Sequence, residues 1–166
     1  MAVTAEHVEE DFPRQEIESA VIRFAGDSGD GMQLTGSQFT LATALQGNDL
    51  ATFPDFPAEI RAPTGTTFGV SAFQINFGSK GIETSGDVLD VLIVMNPAAL
   101  KVNIDDLKPG GLLIADTGAF SPRNLTKAGY TENPLDGDSL DKYKIIEVDM
   151  SRLTKEAVKD HGLTSK

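Results

Sequence analysis

The stretch Ser19-Ala-Val-Ile-Arg-Phe-Ala-Gly26-Asp-Ser-Gly-Asp-Gly31-Met-Gln-Leu-Thr-Gly36 decides the fold. An apolar run ends in a turn with Gly26, Gly29 and Gly31, and a helical pattern starts at once. In a wound α/β sheet this order builds a site at the carboxyl end of the first strand. Glycine lets the backbone turn tightly and approach a ligand. The next helix aims free N–H groups and a partial positive charge at that spot. Such turns also occur as plain architecture, with no ligand. The spacing is G-x-x-G-x-G, not the G-x-G-x-x-G of dinucleotide sites, and no Lys-Ser/Thr pair completes a P-loop. Asp27 and Asp30 repel a phosphate unless they are turned away or neutralised. The turn has the marks of a site, but not of an ordinary nucleotide site.

Working outward, residues 19–25 read as a strand, with Arg23 interrupting it and placing one end or face near solvent. Residues 32–46 read as a helix whose apolar face carries Leu34, Leu41, Ala42 and Leu45. Gly36 and Ser37 permit close packing on a sheet, and Gly47-Asn48 is a stop signal. Residues 50–53 give a second strand. Then Pro54-Asp-Phe-Pro57-Ala-Glu-Ile-Arg61-Ala-Pro63-Thr-Gly65 is too rich in proline for a helix or a central strand. A long loop of this kind inside a domain is functional or disordered, and its prolines favour function. Arg61 suits an anion or a partner's carboxylate. An internal pair with Glu59 fits equally well.

Residues 70–77 alternate, with Phe73, Ile75 and Phe77 on one face and Ala72, Gln74 and Asn76 on the other. A semi-polar face predicts an edge or interface strand. Residues 88–95 form a nearly continuous apolar run, the signature of a parallel strand covered on both faces. Asn96-Pro97 then caps a short helix. Residues 112–115 are another buried strand ending at Asp116, residues 117–142 are loop-rich, and residues 144–148 are a last strand. Ser151 or Thr154 caps a final short helix ending near Gly162. The order is that of an α/β fold: a mostly parallel, doubly wound, Rossmann-like three-layer sheet. Ligands bind beyond the carboxyl ends of such strands. That rim gathers Gly26 to Gly31, Asp55, Asn96 and Asp116. Residues 1–16 are an acidic arm, and residues 17–166 are one α/β domain.

The chain has 166 residues, 40% of them hydrophobic, and a net charge of −11. This acidity argues against nucleic-acid binding, which needs a basic surface. There is no Cys, so no Cys-ligated iron–sulfur cluster, thiolate nucleophile or disulfide resides here. Two histidines leave little material for a His-based metal site or a Ser-His-Asp triad. No apolar run suits a membrane span, and the amino terminus lacks signal-peptide regions, so a cytoplasmic protein is expected.

Several of these blocks together resemble the gamma domain of 2-oxoacid:ferredoxin oxidoreductases. They are Phe24-Ala-Gly26-Asp-Ser28-Gly29-Asp-Gly31-Met, Phe56-Pro57-Ala-Glu59-Ile60-Arg61-Ala-Pro-Thr-Gly65, Val70-Ser-Ala-Phe-Gln74-Ile, Gly86-Asp87-Val-Leu-Asp90-Val-Leu-Ile-Val-Met95-Asn96 and Leu107-Lys-Pro109-Gly110-Gly111. Within the family the chain is most similar to the amino-terminal part of the 2-oxoglutarate-specific alpha subunit. The resemblance runs from about residue 18 to the end. It implies part of an enzyme that decarboxylates a 2-oxoacid oxidatively, passes the acyl group to coenzyme A and reduces ferredoxin.

Thiamine diphosphate, Mg and [4Fe-4S] clusters are then expected in partner domains or subunits, and none in this chain. The implied role of the segment is to cover the active site and help bind coenzyme A, with no catalytic residue and no metal ligand of its own. Its cofactor-binding residues are Gly26, Ser28, Gly29, Gly31, Arg61 and Asn96. The implied partners are the remainder of the alpha subunit, a beta subunit and ferredoxin in a hetero-oligomer. Two departures stand out. The family's loop often reads Gly-Gly-Gln-Gly where this chain has Gly29-Asp30-Gly31, which counts against phosphate contact by the loop itself. Fused members also run several hundred residues further, so the domain is expected to be incomplete at its carboxyl end.

Two other functions stay open on the residues. One is a nucleotide-binding oxidoreductase in which Asp55 holds a ribose hydroxyl. The other is a non-catalytic scaffold in which the glycine turn is only a turn and the proline loop is a docking surface.

Overall fold

The computed structural model describes residues 16–27, 29–56, 69–79 and 81–159. The described elements are β1 (Ser19–Asp27), α1 (Met32–Leu45), β2 (Asp49–Asp55), β3 (Val70–Gly78), β4 (Leu89–Val94), α2 (Pro97–Asn103), β5 (Leu107–Asp116), α3 (Pro122–Ala128), β6 (Lys144–Val148) and α4 (Met150–Val158). The six strands form one sheet in the order β2-β3-β1-β4-β5-β6. β1, β4, β5 and β6 pair in parallel. β3 lies antiparallel between β1 and β2, so β2 runs the same way as β1. The fold is the expected mostly parallel α/β sheet with helices on both faces.

Period-two alternation assigns the two faces. Phe24, Phe73 and Ile75 form one apolar cluster with Met32 and Phe39 of α1. Ala25, Ala72, Leu92, Val94 and Leu113 form the other with Ala99 and Leu100 of α2 and Leu125 of α3. β4 is buried between β1 and β5, as its continuous apolar run requires.

Three expectations need correction. β3 is an interior strand, not an edge. Its semi-polar face is buried because Gln74, 3% exposed, spends its amide on the Ser85 and Gly86 carbonyls at 2.7 and 2.6 Å. The leucines of α1 do not face the sheet: Leu34, Leu41 and Leu45 are 67%, 55% and 80% exposed. The buried side is Met32, Gly36 and Thr43, with Phe39 packed between Phe24 and Phe77. A Cβ at Gly36 would come within 2.2 Å of the Phe73 ring, so glycine here lets the helix lie directly on β3. The loop-rich stretch contains α3, capped by Ser121 Oγ, which accepts from the Asn124 N–H at 3.4 Å, and ended by Gly129 at φ 75°.

Smaller differences follow from capping chemistry. α4 is capped by Asp149, whose Oδ1 accepts from the Arg152 N–H at 2.9 Å, not by Ser151 or Thr154. Its expected end near Gly162, the arm up to residue 15 and residues 57–68 of the proline loop lie outside the described residues. No helix among the described residues is long and apolar enough to cross a membrane.

Candidate functional site

β1 and β4 are adjacent and parallel, yet their connections leave in opposite directions across the sheet. β1 leads through α1 toward β2, and β4 leads through α2 toward β5. This is the topological switch point, where the two connections part and leave a crevice beyond the carboxyl ends of the strands. The glycine turn and Asn96 lie on either side of it.

Asn96 Nδ2 donates to Asp27 Oδ1 at 3.1 Å, which ties the turn to the start of α2. The Asn96 Oδ1 accepts from the Ala99 N–H at 2.8 Å and so caps α2, with Pro97 in its first turn. The turn is also closed on itself. The Asp30 N–H donates to the Asp27 carbonyl at 3.0 Å, and the Asp27 N–H donates to Asp30 Oδ2 at 2.8 Å. Asp30 is therefore turned inward as a cap of its own turn. A Cβ at Gly26 would meet Asp30 Oδ2 at 2.9 Å and Met95 Cβ at 3.2 Å, so only glycine leaves room for this closure. Gly31 sits at φ 78°, a left-handed conformation natural to glycine, and no side chain caps α1 behind it. Gln33, in the first turn of α1, donates to the Ala72 carbonyl at 2.9 Å and holds the helix start against β3.

A half-open pocket of about 150 Å³ occupies the crevice, lined among the described residues by Asp27, Asn96, Pro97, Ala98, Asn124 and Lys127. That volume is on the order of a cavity that takes one benzene ring. Burial raises the Asp27 carboxyl above its ordinary range, and the charge of Asp30 adds to this. The Asn96 hydrogen bond and the positive charge of Lys127 pull it back down. The lining thus includes both a carboxylate that accepts a hydrogen bond and an ammonium whose charge reaches it.

Of the expected cofactor-binding residues, only Asn96 lines the pocket among the described residues; Gly26, Gly29 and Gly31 belong to the turn beside it, which reaches the pocket through Asp27. Ser28 and Arg61 lie outside the described residues. Asn124 and Lys127 were not expected, because residues 117–142 read as loop. The signal was present in Ser121-Pro122 and Gly129, an N-cap, a proline in the first turn and a glycine stop.

Asp116 and Asp55 are on the rim but not in the pocket. Asp116 Oδ1 accepts from the Gly118 and Met150 N–H groups at 3.1 and 3.0 Å, and so joins the end of β5 to α4. Asp55 ends β2, which β3 separates from β1. Two strand spacings, roughly 10 Å, are too far for the ribose-binding acid of a dinucleotide site. Among the described residues no cluster of three or more His, Cys, Asp or Glu side chains could hold a metal ion.

Comparison with known proteins follows the same lines. The family model described as pyruvate ferredoxin/flavodoxin oxidoreductase matches residues 21–165. The chain is 57% identical over 153 residues to the 2-oxoglutarate oxidoreductase subunit KorA of Mycobacterium tuberculosis, covering 92% of this chain and 23% of that protein. It matches the structure of the 2-oxoglutarate:ferredoxin oxidoreductase from Magnetococcus marinus, which has 2-oxoglutarate, coenzyme A and succinyl-CoA bound, with a TM-score of 0.65 and 29% identity. That match covers 87% of this chain and 22% of the other. The pyruvate oxidoreductase subunit PORC from Thermotoga maritima shares the fold, with a TM-score of 0.58 at 19% identity over 86% of this chain and 68% of that one. The chain thus spans under a quarter of the length of the 2-oxoglutarate oxidoreductases it matches.

Proposed function

Because the chain belongs to the pyruvate ferredoxin/flavodoxin oxidoreductase family, we propose that it is the gamma-domain segment of a 2-oxoglutarate:ferredoxin oxidoreductase subunit. In this reading the whole enzyme acts in the cytoplasm and converts 2-oxoglutarate and coenzyme A to the acyl thioester, with electrons passing to ferredoxin. Residues 17–166 form the domain that covers the active site and helps hold coenzyme A. The pocket at the β1–β4 switch point carries this reading, because it places a polar binding cleft where a wound sheet takes its ligands.

The chain's own residues bind and orient; they do not perform the redox step. With no Cys in the sequence, they do not fit a Cys-ligated iron–sulfur cluster, and in this reading thiamine diphosphate is likewise held elsewhere. Those groups belong to the rest of the subunit, the beta subunit or ferredoxin. Gly26 and Gly31 shape the turn, and Asn96 fixes both Asp27 and the start of α2. Arg61 and Ser28 remain proposed contacts with coenzyme A.

The test is calorimetric titration of the intact oxidoreductase with coenzyme A, comparing wild type with Asn96→Ala. Weaker coenzyme A binding with an unchanged Michaelis constant for 2-oxoglutarate is expected. Unchanged binding of both would favour the second reading, an interface domain without ligand contact. That reading draws on the exposed Leu34, Leu41 and Leu45 face of α1 and the exposed edge strand β2.

A further inference from the structure

We propose that the open apolar face of β4, β5 and β6 is covered in the intact subunit by an amphipathic helix from polypeptide beyond these 166 residues, a reading that rests on the chain being a segment of a longer subunit and not on coenzyme A. One row of side chains crosses the sheet in register: Phe73 on β3, Phe24 on β1, Ile93 on β4, Ile114 on β5 and Ile146 on β6. Where α1 lies over the row it is closed, and Phe73 and Phe24 are each 6% exposed. Ile93 still touches the α1 cluster, but it and Ile114 are only partly buried, and Ile146 is 48% exposed. Val91 and Leu112 stand two residues earlier on β4 and β5, so they share this face, and they too are only partly buried.

The opposite face sets the standard. Leu92, Val94, Leu113 and Ala115 are all 0% exposed beneath α2 and α3. The crossovers from β4 to β5 and from β5 to β6 run in one direction across the sheet, and right-handed crossovers in one direction stay on one face. α1 belongs to the crossover that runs the other way, and it covers only the β2–β3–β1 half of its own face. α4 adds no cover, since none of its residues is buried. Parallel strands are rich in Val, Ile and Leu because both of their faces are normally covered. An aliphatic face three strands wide and left open is therefore an interaction surface.

Shape and chain length choose the occupant. β4 and β6 lie two strand spacings apart, roughly 10 Å, which is the diameter of one helix with its side chains. A second sheet is the wrong shape, because parallel sheets take helices on their faces. Lys144 is exposed and pairs in register with Leu112, so it flanks the same face at its outer edge. The helix that fits presents an aliphatic stripe to the isoleucines and a carboxylate to Lys144. The shared segment is 23% of the Mycobacterium tuberculosis subunit and 68% of the Thermotoga maritima subunit, so chains with this fold carry polypeptide beyond these elements. β6 is the outer strand of the open half and α4 follows it directly. Polypeptide continuing from α4 therefore reaches the row by a short connection.

The experiment uses the full-length subunit in the assembled oxidoreductase. These 166 residues hold no Cys, so Ile146→Cys and Ile114→Cys place a thiol at known points of the row. Each should react with a maleimide at least about tenfold more slowly in the native enzyme than after unfolding in urea, read by mass spectrometry of its peptide. Photoreactive benzoylphenylalanine in place of Ile146 should then cross-link within one subunit, at positions about three or four residues apart in a single segment beyond residue 166. Because Ile146 is 48% exposed within this domain, either change there leaves the domain's own core standing. Native labelling as fast as that of the unfolded chain overturns the proposal, because the row is then open to solvent. A cross-link to a second copy or to a different subunit, seen as a product heavier than one chain, overturns it in favour of that partner. None of these readouts depends on coenzyme A, so failure here and failure of the coenzyme A titration are separate results.

Discussion

Arg23 on β1 and Gln74 on β3 stand opposite each other in register, and the Arg23 Nε donates to Gln74 Oε1 at 2.9 Å. The same guanidinium reaches Asn103 Oδ1 at 2.9 Å and Asp106 Oδ2 at 2.5 Å, linking the sheet to the end of α2 and the turn after it. Gln74 in turn satisfies the Ser85 and Gly86 carbonyls. The arginine that interrupts an apolar strand is thus a mostly buried hub. Gln74→Leu should cost about 1–3 kcal/mol, because it strands a buried donor and two carbonyls. Arg23→Leu should cost a similar amount. The double substitution should cost clearly less than the sum, since it removes both partners of one bond. Thermal unfolding of the three variants measures this, and strict additivity would mean that the two residues do not act together.

The Asp27 carboxyl gives a pH-dependent prediction. Burial and then the charge of Asp30 hold its folded-state pKa above the ordinary 3.8. A raised carboxyl lends stability when protonated. That contribution is complete below the unfolded pKa and is lost as the pH rises through the folded one. At neutral pH the ionised group therefore costs stability. Asp27→Asn keeps an acceptor for Asn96 and removes the charge. It should melt higher than wild type near about pH 7, and the gap should close toward about pH 4. A lower melting temperature at neutral pH would show that the carboxylate stabilises the turn.

The two faces of α1 should respond oppositely to substitution. Gly36→Ala drives a methyl into the Phe73 ring and should cost about 1–3 kcal/mol. Leu45→Gln, on the open face, should stay within about 0.5 kcal/mol. Chemical denaturation of both variants checks the assignment. A large loss from Leu45→Gln alone would return the helix to the orientation that its leucines suggest.

This reversal shows where the sequence is a poor guide. Strand order, the continuous run of β4 and the Asn96-Pro97 cap are local patterns, and each is legible because its signal lies within a few residues. The face that α1 buries is set by a residue pair, Gly36 and Phe73, 37 positions apart, and periodicity favours the larger side chains. β3 misleads for a related reason. Its polar face is buried by partners on β1 and in the turn before β4, which no local window contains. The site divides in the same way. The glycine turn and Asn96 can be read directly, whereas Asn124 and Lys127 join the pocket only because α3 folds back over the start of α2.

Asn96 does two jobs, and two substitutions separate them. Asn96→Ala loses the α2 cap and the bond to Asp27 together, and should cost about 1 kcal/mol, somewhat more at neutral pH, where the ionised Asp27 loses a hydrogen bond that favours its charge. Asn96→Asp keeps a carboxylate to cap α2, since aspartate caps as well as asparagine. It also sets a second carboxylate against Asp27, where the two amide and carboxyl atoms now lie 3.1 Å apart. Two carboxyls at that range cannot both ionise cheaply, so one proton is shared and one pKa rises strongly. Asn96→Asp should therefore be destabilised at neutral pH and recover strongly on acidification, while Asn96→Ala should recover only slightly, by the one hydrogen bond its ionised Asp27 has lost. Melting curves from about pH 4 to 8 distinguish the two. Parallel pH profiles would mean that the Asn96–Asp27 contact contributes nothing beyond the cap. A clearly larger recovery in the aspartate variant would establish that contact as the electrostatic link across the switch-point crevice.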